Sequence, residues 1–174
     1  MALYEFEGKR PVVGEETYVC ETADIIGDVI VGARCYIGPG ARIKGDYGSI
    51  RIGDETNVQE NCILHARPNE TCKVGNRVNV GHGAILHTCT IEDQVLIGMG
   101  SIVSDYAIVG TQSVLGEGCV VTQNQNIPAG SVAVGVPARV KGKSDPANQP
   151  EWSKYKGVYV ELARRYRRGL KRIE

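Results

Sequence analysis

Aliphatic residues recur every six positions along most of this chain. The series runs through Val19, Ile25, Val31, Ile37 and Ile43, then Ile52, Val58 and Leu64, then Val74, Val80 and Leu86. It continues through Ile91, Ile97, Val103, Val109, Leu115, Val121 and Ile127. Four positions after most of these stands a small or slim residue, as at Val29, Cys35, Ala41, Thr56, Cys62, Val78, Ala84, Ser101, Ala107, Ser113 and Cys119. Gly often follows the aliphatic residue directly, as at Gly32, Gly38, Gly98 and Gly110. An amphipathic helix repeats its apolar face every three or four residues and a half-buried strand every two, so neither produces this beat. A six-residue unit fits one short strand and a tight corner, with one large and one small side chain pointing inward. Such units stack into an all-β parallel solenoid, in which each coil pairs its backbone with the coils above and below and the two ends need caps. The periodicity is silent on handedness.

The beat stops before Pro150. Beyond it apolar residues fall at Trp152, Tyr155, Tyr159, Leu162, Tyr166 and Leu170, three or four apart, which predicts a helix. Its other face carries Arg164, Arg165, Arg167, Arg168 and Lys171, read as a solvated face. The stretch from Lys141 to Gln149, with Asp145-Pro146, is a turn-rich bridge. The chain therefore divides into a β-helix over residues 1–140, which holds the candidate site, and a linker plus C-terminal α-helix over 141–174 that packs on it.

Composition narrows the function. The 174 residues are 42% hydrophobic and 23% charged, with 20 Lys plus Arg against 20 Asp plus Glu, so no net field draws nucleic acid or an anionic membrane from a distance. No apolar run approaches the length of a membrane span, and MALYEFEGKRP has no apolar stretch behind its charges, so a cytoplasmic protein is expected. Six cysteines without a C-x-x-C pair read as thiols. Cys35, Cys62 and Cys119 hold the small inward position, whereas Cys20, Cys72 and Cys89 lie near corners or in a loop with no evident partner.

The three histidines, His65, His82 and His87, fall within one 23-residue window. His65 follows the large inward residue Leu64 and His87 follows Leu86. Leu64, Val74, Val80 and Leu86 are three steps, hence one coil if four extra residues loop out between Ala66 and Cys72. Both imidazoles then point outward from adjacent coils with backbones ~4.8 Å apart. His82 comes two residues after Val80, near a corner of a different face. Three imidazoles around one ion are a zinc geometry, but a corner side chain does not bend round a rigid solenoid. The third ligand then comes from a neighbouring subunit in a closed three-fold ring, or the site has only two.

Several segments resemble the γ-class carbonic anhydrase family of left-handed β-helix proteins. They are Lys44-Gly45-Asp46-Tyr47-Gly48, Ile52 to Glu60 with its T-N-x-Q block, His65, Val80-Gly81-His82-Gly83-Ala84-Ile85-Leu86-His87, Ile97-Gly98-Met99-Gly100 and Gly135-Val136-Pro137-Ala138-Arg139. The resemblance implies a left-handed coil with three units per turn, so about six coils. It implies a homotrimer in which the residues matching His65 and His87 bind zinc from one subunit while that matching His82 reaches across the interface. The implied activity is hydration of carbon dioxide to bicarbonate, with zinc supplying hydroxide at neutral pH. An all-imidazole site also suits iron or cobalt.

The same resemblance places Gln59 beside the metal-bound solvent, where its amide orients hydroxide or substrate; a corner hydrogen bond is the plainer role. Asn57 divides between turn former and site support, and Tyr159 between site border and core packing. Where the family usually has Arg, paired across the interface with the acid matching Asp46, this chain has Lys44, which lacks the bidentate fork. The family's best-known active form carries glutamates in two loops near the site, one of them proposed as a proton shuttle; here the first position is Tyr47 and the loop after His65 offers only Glu70, so metal binding is a firmer expectation than fast hydration. Two rivals share the fold: an acyltransferase using one His as general base toward acyl-CoA, and a non-catalytic metal-binding trimeric scaffold.

Overall fold

The large inward residues and the small ones four positions later fill a single interior. In the computed structural model, which describes residues 2–145, 147 and 149–173, all eighteen residues of the first series are buried and the small positions from Val29 to Cys119 are fully so. The side chains of residues 2 and 149–153 lie outside the description, and with them the predicted apolar position Trp152; Pro146 of the bridge lies outside it altogether. Buried hydroxyls at the small position are satisfied within the stack: Thr56 donates to the Gly75 carbonyl at 2.8 Å and Ser101 to that of Gly116 at 3.0 Å.

The strands make a left-handed parallel β-helix of about seven turns. One face stacks Tyr18–Val19, Tyr36–Ile37, Asn57–Val58, Asn79–Val80, Leu96–Ile97, Val114–Leu115 and Ser131–Val134. A second stacks Arg42, Ile43 and Lys44 under Ile63–His65, Ile85–His87, Ile102–Val103 and Val120–Val121. The third runs from Val12–Val13 through Thr71–Val74, Thr90–Ile91 and Ile108–Val109 to Asn126–Ile127. The long strands Asp24–Val31 and Arg42–Ile52 turn a corner unbroken and join the second and third faces into one sheet. The stack exceeds the expected six coils because Val12–Val13 and Ser131–Val134 extend it beyond the ends of the aliphatic series.

Gly after the large residue is required by the closeness of the coils. A Cβ on Gly110 would lie 2.5 Å from the Ala129 backbone nitrogen, and one on Gly53 2.7 Å from the Gly75 carbonyl carbon. Caps follow from the open edges. Ala2–Tyr4 adds a parallel strand at the start, and Arg139–Lys143 folds back antiparallel on Ser131–Val134 at the end.

The C-terminal helix, Gln149–Gly169, lies on the first face. Its inward stripe is Lys156, Tyr159, Leu162, Ala163 and Tyr166, so the expectation needs correcting at Tyr155 and Leu170, both 57% exposed. Leu170 lies one residue past the end of the helix at Gly169, so the stripe does not reach it. Tyr159 and Tyr166 pack on an aromatic pair of the face, with Tyr36 stacked on Tyr18 at 5.6 Å between ring centroids. Arg164, Arg165, Arg167, Arg168 and Lys171 are exposed. No helix among the described residues is long and apolar enough to cross a membrane.

All six cysteines are free and buried, and burial pushes the thiols of Cys35 and Cys62 up to about 11. Cys72 and Cys89, which lack an evident partner in the sequence, are opposite one another on adjacent coils, their sulfurs 3.9 Å apart in the core.

Candidate metal centre

The extra residues between Leu64 and Val74 form an exposed loop over Arg67 to Glu70, which leaves the strands either side in register. Lys44, His65 and His87 consequently form one outward column, each paired with the next across adjacent coils. The two imidazoles face each other, with His65 Nδ1 3.2 Å from His87 Nε2. Two nitrogens that share a tetrahedral ion at 2.0–2.1 Å stand ~3.3 Å apart, so the pair already has the spacing of a shared cation.

Each remaining nitrogen meets a carboxylate. His65 Nε2 is 3.0 Å from Asp46 Oδ1, and His87 Nδ1 is 2.5 Å from Asp105 Oδ1. The second oxygen of each acid is held in turn: Lys44 Nζ lies 2.9 Å from Asp46 Oδ2, and Arg67 brings both Nε and Nη2 to 2.8 Å from Asp105 Oδ2. Burial works to raise the Asp46 pKa, but hydrogen bonds from Lys44, His65 and the Tyr47 backbone outweigh it and lower the value to about 2. Asp105 is lowered likewise, against burial, by hydrogen bonds from His87, Arg67 and Thr88. Two ionised acids therefore draw the ring N–H groups outward. That makes the facing nitrogens, 3.2 Å apart, the pair able to offer lone pairs to a shared cation.

His82 stands apart from this pair. It occupies the corner between Asn79–Val80 and Ile85–His87, on the order of 15 Å of chain from His87 at the far edge of the same face. Its Nδ1 meets Glu60 Oε2 at 2.5 Å, its side chain is 46% exposed, and its backbone N–H donates to Gln59 Oε1 at 3.2 Å. Within one chain, and among the described residues, no three His, Cys, Asp or Glu side chains converge to hold a metal.

The other expected site residues divide between the two places. Gln59 is 4% exposed and its amide is engaged: Nε2 donates to Asn57 Oδ1 at 3.0 Å and to Asn79 Oδ1 at 3.1 Å, while Oε1 holds the His82 backbone. The structure thus gives Gln59 the corner hydrogen bonds, because its amide fits between successive asparagines of the stack. Asn57 is buried beside it, and its Nδ2 finds no hydrogen-bond partner among the described residues. Lys44 and Asp46 pair within the chain, whereas the resemblance implied a pair across the interface; two residues apart on one strand, both point outward and meet directly. Tyr159 packs on Tyr36 at 5.3 Å. Tyr47 is 67% exposed, its ring edge-on to His65 at 6.4 Å.

Asp105, Arg67, Glu60 and Tyr36 were not picked out by sequence reasoning. A signal for Asp105 exists: Leu86 pairs with Val103, so that coil is 103 − 86 = 17 residues long, and one coil on from His87 is Ser104, the residue before Asp105. Arg67 follows His65 by two positions, and Glu60 follows Gln59.

Comparison with known proteins accords with this architecture. The family model described as bacterial transferase hexapeptide (six repeats) matches residues 10–45. The carnitine operon protein CaiE of Proteus sp. is 38% identical over 172 residues, covering 98% of this chain and 86% of that protein. The mitochondrial gamma carbonic anhydrase 1 of Arabidopsis thaliana is 39% identical over 137 residues, 75% of this chain and 50% of that one, so the match spans half of that relative's length. Among solved structures, a hexapeptide transferase family protein from Anaplasma phagocytophilum superposes with a TM-score of 0.91 at 32% identity, covering 95% of this chain and 98% of that one.

Proposed function

From a chain that belongs to the hexapeptide-repeat family, with CaiE and γ carbonic anhydrase among its relatives, we propose a metal-dependent carbonic anhydrase-like lyase acting as a cytoplasmic homotrimer. The observation that carries the reading is the His65–His87 pair: two nitrogens 3.2 Å apart, with the other nitrogen of each ring on its own carboxylate. His82 repeats the arrangement at the opposite edge of the face, with one nitrogen on Glu60 and the ring exposed. A three-fold ring that sets the corner of one subunit against the His column of the next brings the three imidazoles together and closes without a free edge.

His65, His87 and a neighbouring subunit's His82 would hold the metal, and zinc bound there would supply hydroxide at neutral pH for the conversion of carbon dioxide to bicarbonate. Iron or cobalt fits the same donor set. The chain's own residues then have separable tasks. Asp46, Asp105 and Glu60 each take one ring nitrogen and fix tautomer and orientation. Lys44 and Arg67 hold two of those acids and offset their charge. Gln59 and Asn57 fix the backbone of the corner that carries His82. Tyr47 borders the pair where the active form of the resembling family has a glutamate, so proton export falls to the buffer.

The test is elemental analysis of protein purified without added metal and without a His tag, followed by a stopped-flow hydration assay at several buffer concentrations. One metal per subunit and a rate that climbs with buffer support the reading. A trimer without metal, or a metal-loaded trimer that leaves carbon dioxide unhydrated while moving an acyl group from acyl-CoA, contradicts it. The acyl-transfer alternative uses one histidine and gives the paired imidazoles and their carboxylates no task.

A further inference from the structure

The corner that carries His82 is tied to the C-terminal helix by one buried phenol. Tyr36 is 1% exposed, with its ring stacked on Tyr18 and covered by Tyr159 and Tyr166 of the helix at 5.3 and 5.8 Å. A hydroxyl in that position needs an acceptor, because a buried donor left without one is destabilising. It donates to Glu60 Oε1 at 2.9 Å. Burial first, and then this hydrogen bond, raise the phenol's pKa, so it stays a donor throughout the neutral range. The other oxygen of Glu60 is buried and has no aligned hydrogen bond among the described residues; it lies 2.5 Å from His82 Nδ1, an ion-pair contact that seats the ring against the carboxylate. A glutamate has three rotatable bonds, and this one stands at a corner with His82 46% exposed beside it. Glu60 holds the ring in one orientation only insofar as something holds Glu60.

We propose that Tyr36 is a positioning residue for His82: roofed by the helix, it fixes Glu60, and Glu60 fixes the imidazole so that Nε2 is the nitrogen offered to the neighbouring subunit. The proposal rests on the shared-site reading above and adds to it a second task for the helix. The helix caps the first face and also sets the geometry of a ligand that another subunit uses. His65 and His87 have no such dependence, since their acids are held by Lys44 and Arg67 on the β-helix itself.

The substitution Tyr36→Phe keeps the ring and its packing while removing the hydroxyl. Two measurements follow its effect in the intact chain: the tautomer of His82 in the metal-free protein, from nitrogen-15 histidine NMR, and the rate at which zinc passes from the loaded protein to a chelator. The expected result is a His82 ring with its proton on Nδ1 in the parent and mixed tautomers in Tyr36→Phe, with zinc loss ~10-fold faster. Tyr18→Phe, a matching change in the same aromatic stack, should leave both readouts unchanged. Adding Tyr36→Phe to Glu60→Gln should add nothing beyond Glu60→Gln, because both act on one link. The proposal is overturned if Tyr36→Phe leaves tautomer and zinc loss as in the parent, if Tyr18→Phe moves them equally, or if the Tyr36→Phe effect persists in full in the Glu60→Gln background. Should the parent take up no zinc, the metal reading falls, and the His82 tautomer in the metal-free protein still decides the role of Tyr36.

Discussion

At the scale of single residues the centre is organised by acids that do not face the proposed metal. Asp105 shows this most directly, with one oxygen on His87 Nδ1 and the other on Arg67. Changing it to Asn removes the charge that fixes the ring, and outer-shell changes of this kind typically cost 10–100-fold in metal affinity. We expect Asp105→Asn to lose zinc affinity by ~10-fold or more in a chelator competition while remaining trimeric; unchanged affinity would remove Asp105 from the site. His87→Ala goes further, since two imidazoles and water hold zinc far less tightly than three, and elemental analysis should find the variant empty.

Lys156 is a residue whose burial costs stability. It is 4% exposed on the inward face of the helix, its Nζ meets the Gln94 carbonyl, and burial, then the nearby Arg77, lower its pKa to about 8. The unfolded chain keeps a value near 10.4, so it binds the proton more tightly than the folded chain does. The penalty is complete below pH 8 and is relieved as pH rises toward 10.4. Lys156→Met should therefore stabilise the protein by ~1–3 kcal/mol at pH 7, with a gain that shrinks through that alkaline window. A gain in thermal or denaturant unfolding that does not vary with pH would show that desolvation of the charge is not its source.

Strands, corners and helix were legible in the sequence to different degrees, and the reasons are physical. The hexad names nearly every buried position because each strand contributes one large and one small inward side chain, leaving little freedom in the pattern. The outward column of Lys44, His65 and His87 followed from the same count, since register in a stack of short strands is set by the inward residues. What escaped was the chemistry of the corners. Glu60 and Arg67 have no periodic signal, Asp105 lies one residue off the coil count from His87, and the importance of all three depends on side chains that reach across coils of unequal length. The helix was seen, but apolar spacing could not show that Lys156 joins its inward stripe or that the helix ends before Leu170. At the same scale, Gly110→Ala should destabilise by ~2–4 kcal/mol, as its Cβ would lie 2.5 Å from the Ala129 nitrogen and neither coil is free to move. Thermal unfolding within a degree or two of the parent would mean that the coils separate more easily than the stack implies.

For the whole molecule, the three faces have different fates. The helix covers one, and the third has a mixed outward row in which Arg51, Lys73, Thr90 and Asn126 stand with exposed Val12, Ile30 and Ile108. The second face carries the histidine pair and beside it an outward ladder of Ile63, Ile85, Ile102 and Val120, in register through four coils. Ile63 is 41% exposed in the single chain. On the trimer proposed above, this ladder is the surface that the next subunit covers. On the reading proposed here the same contact that buries it delivers His82, so Ile85→Glu should give smaller particles and lose the metal in one step, measured by light scattering and elemental analysis. Loss of one without the other would separate assembly from the site.

The most direct test of the shared site is to mix two subunits that are each dead. One carries His82→Ala and keeps His65 and His87; the other carries His65→Ala with His87→Ala and keeps His82. Neither should bind zinc alone, although both should form trimers. Refolded together in equal amounts, about a quarter of all interfaces would pair an intact column with an intact corner, because each contact in a closed ring joins one of each. The account predicts recovery of zinc to about a quarter of the parent content in the mixture, arising only in mixed trimers. Mixed trimers that form and contain no zinc would contradict it.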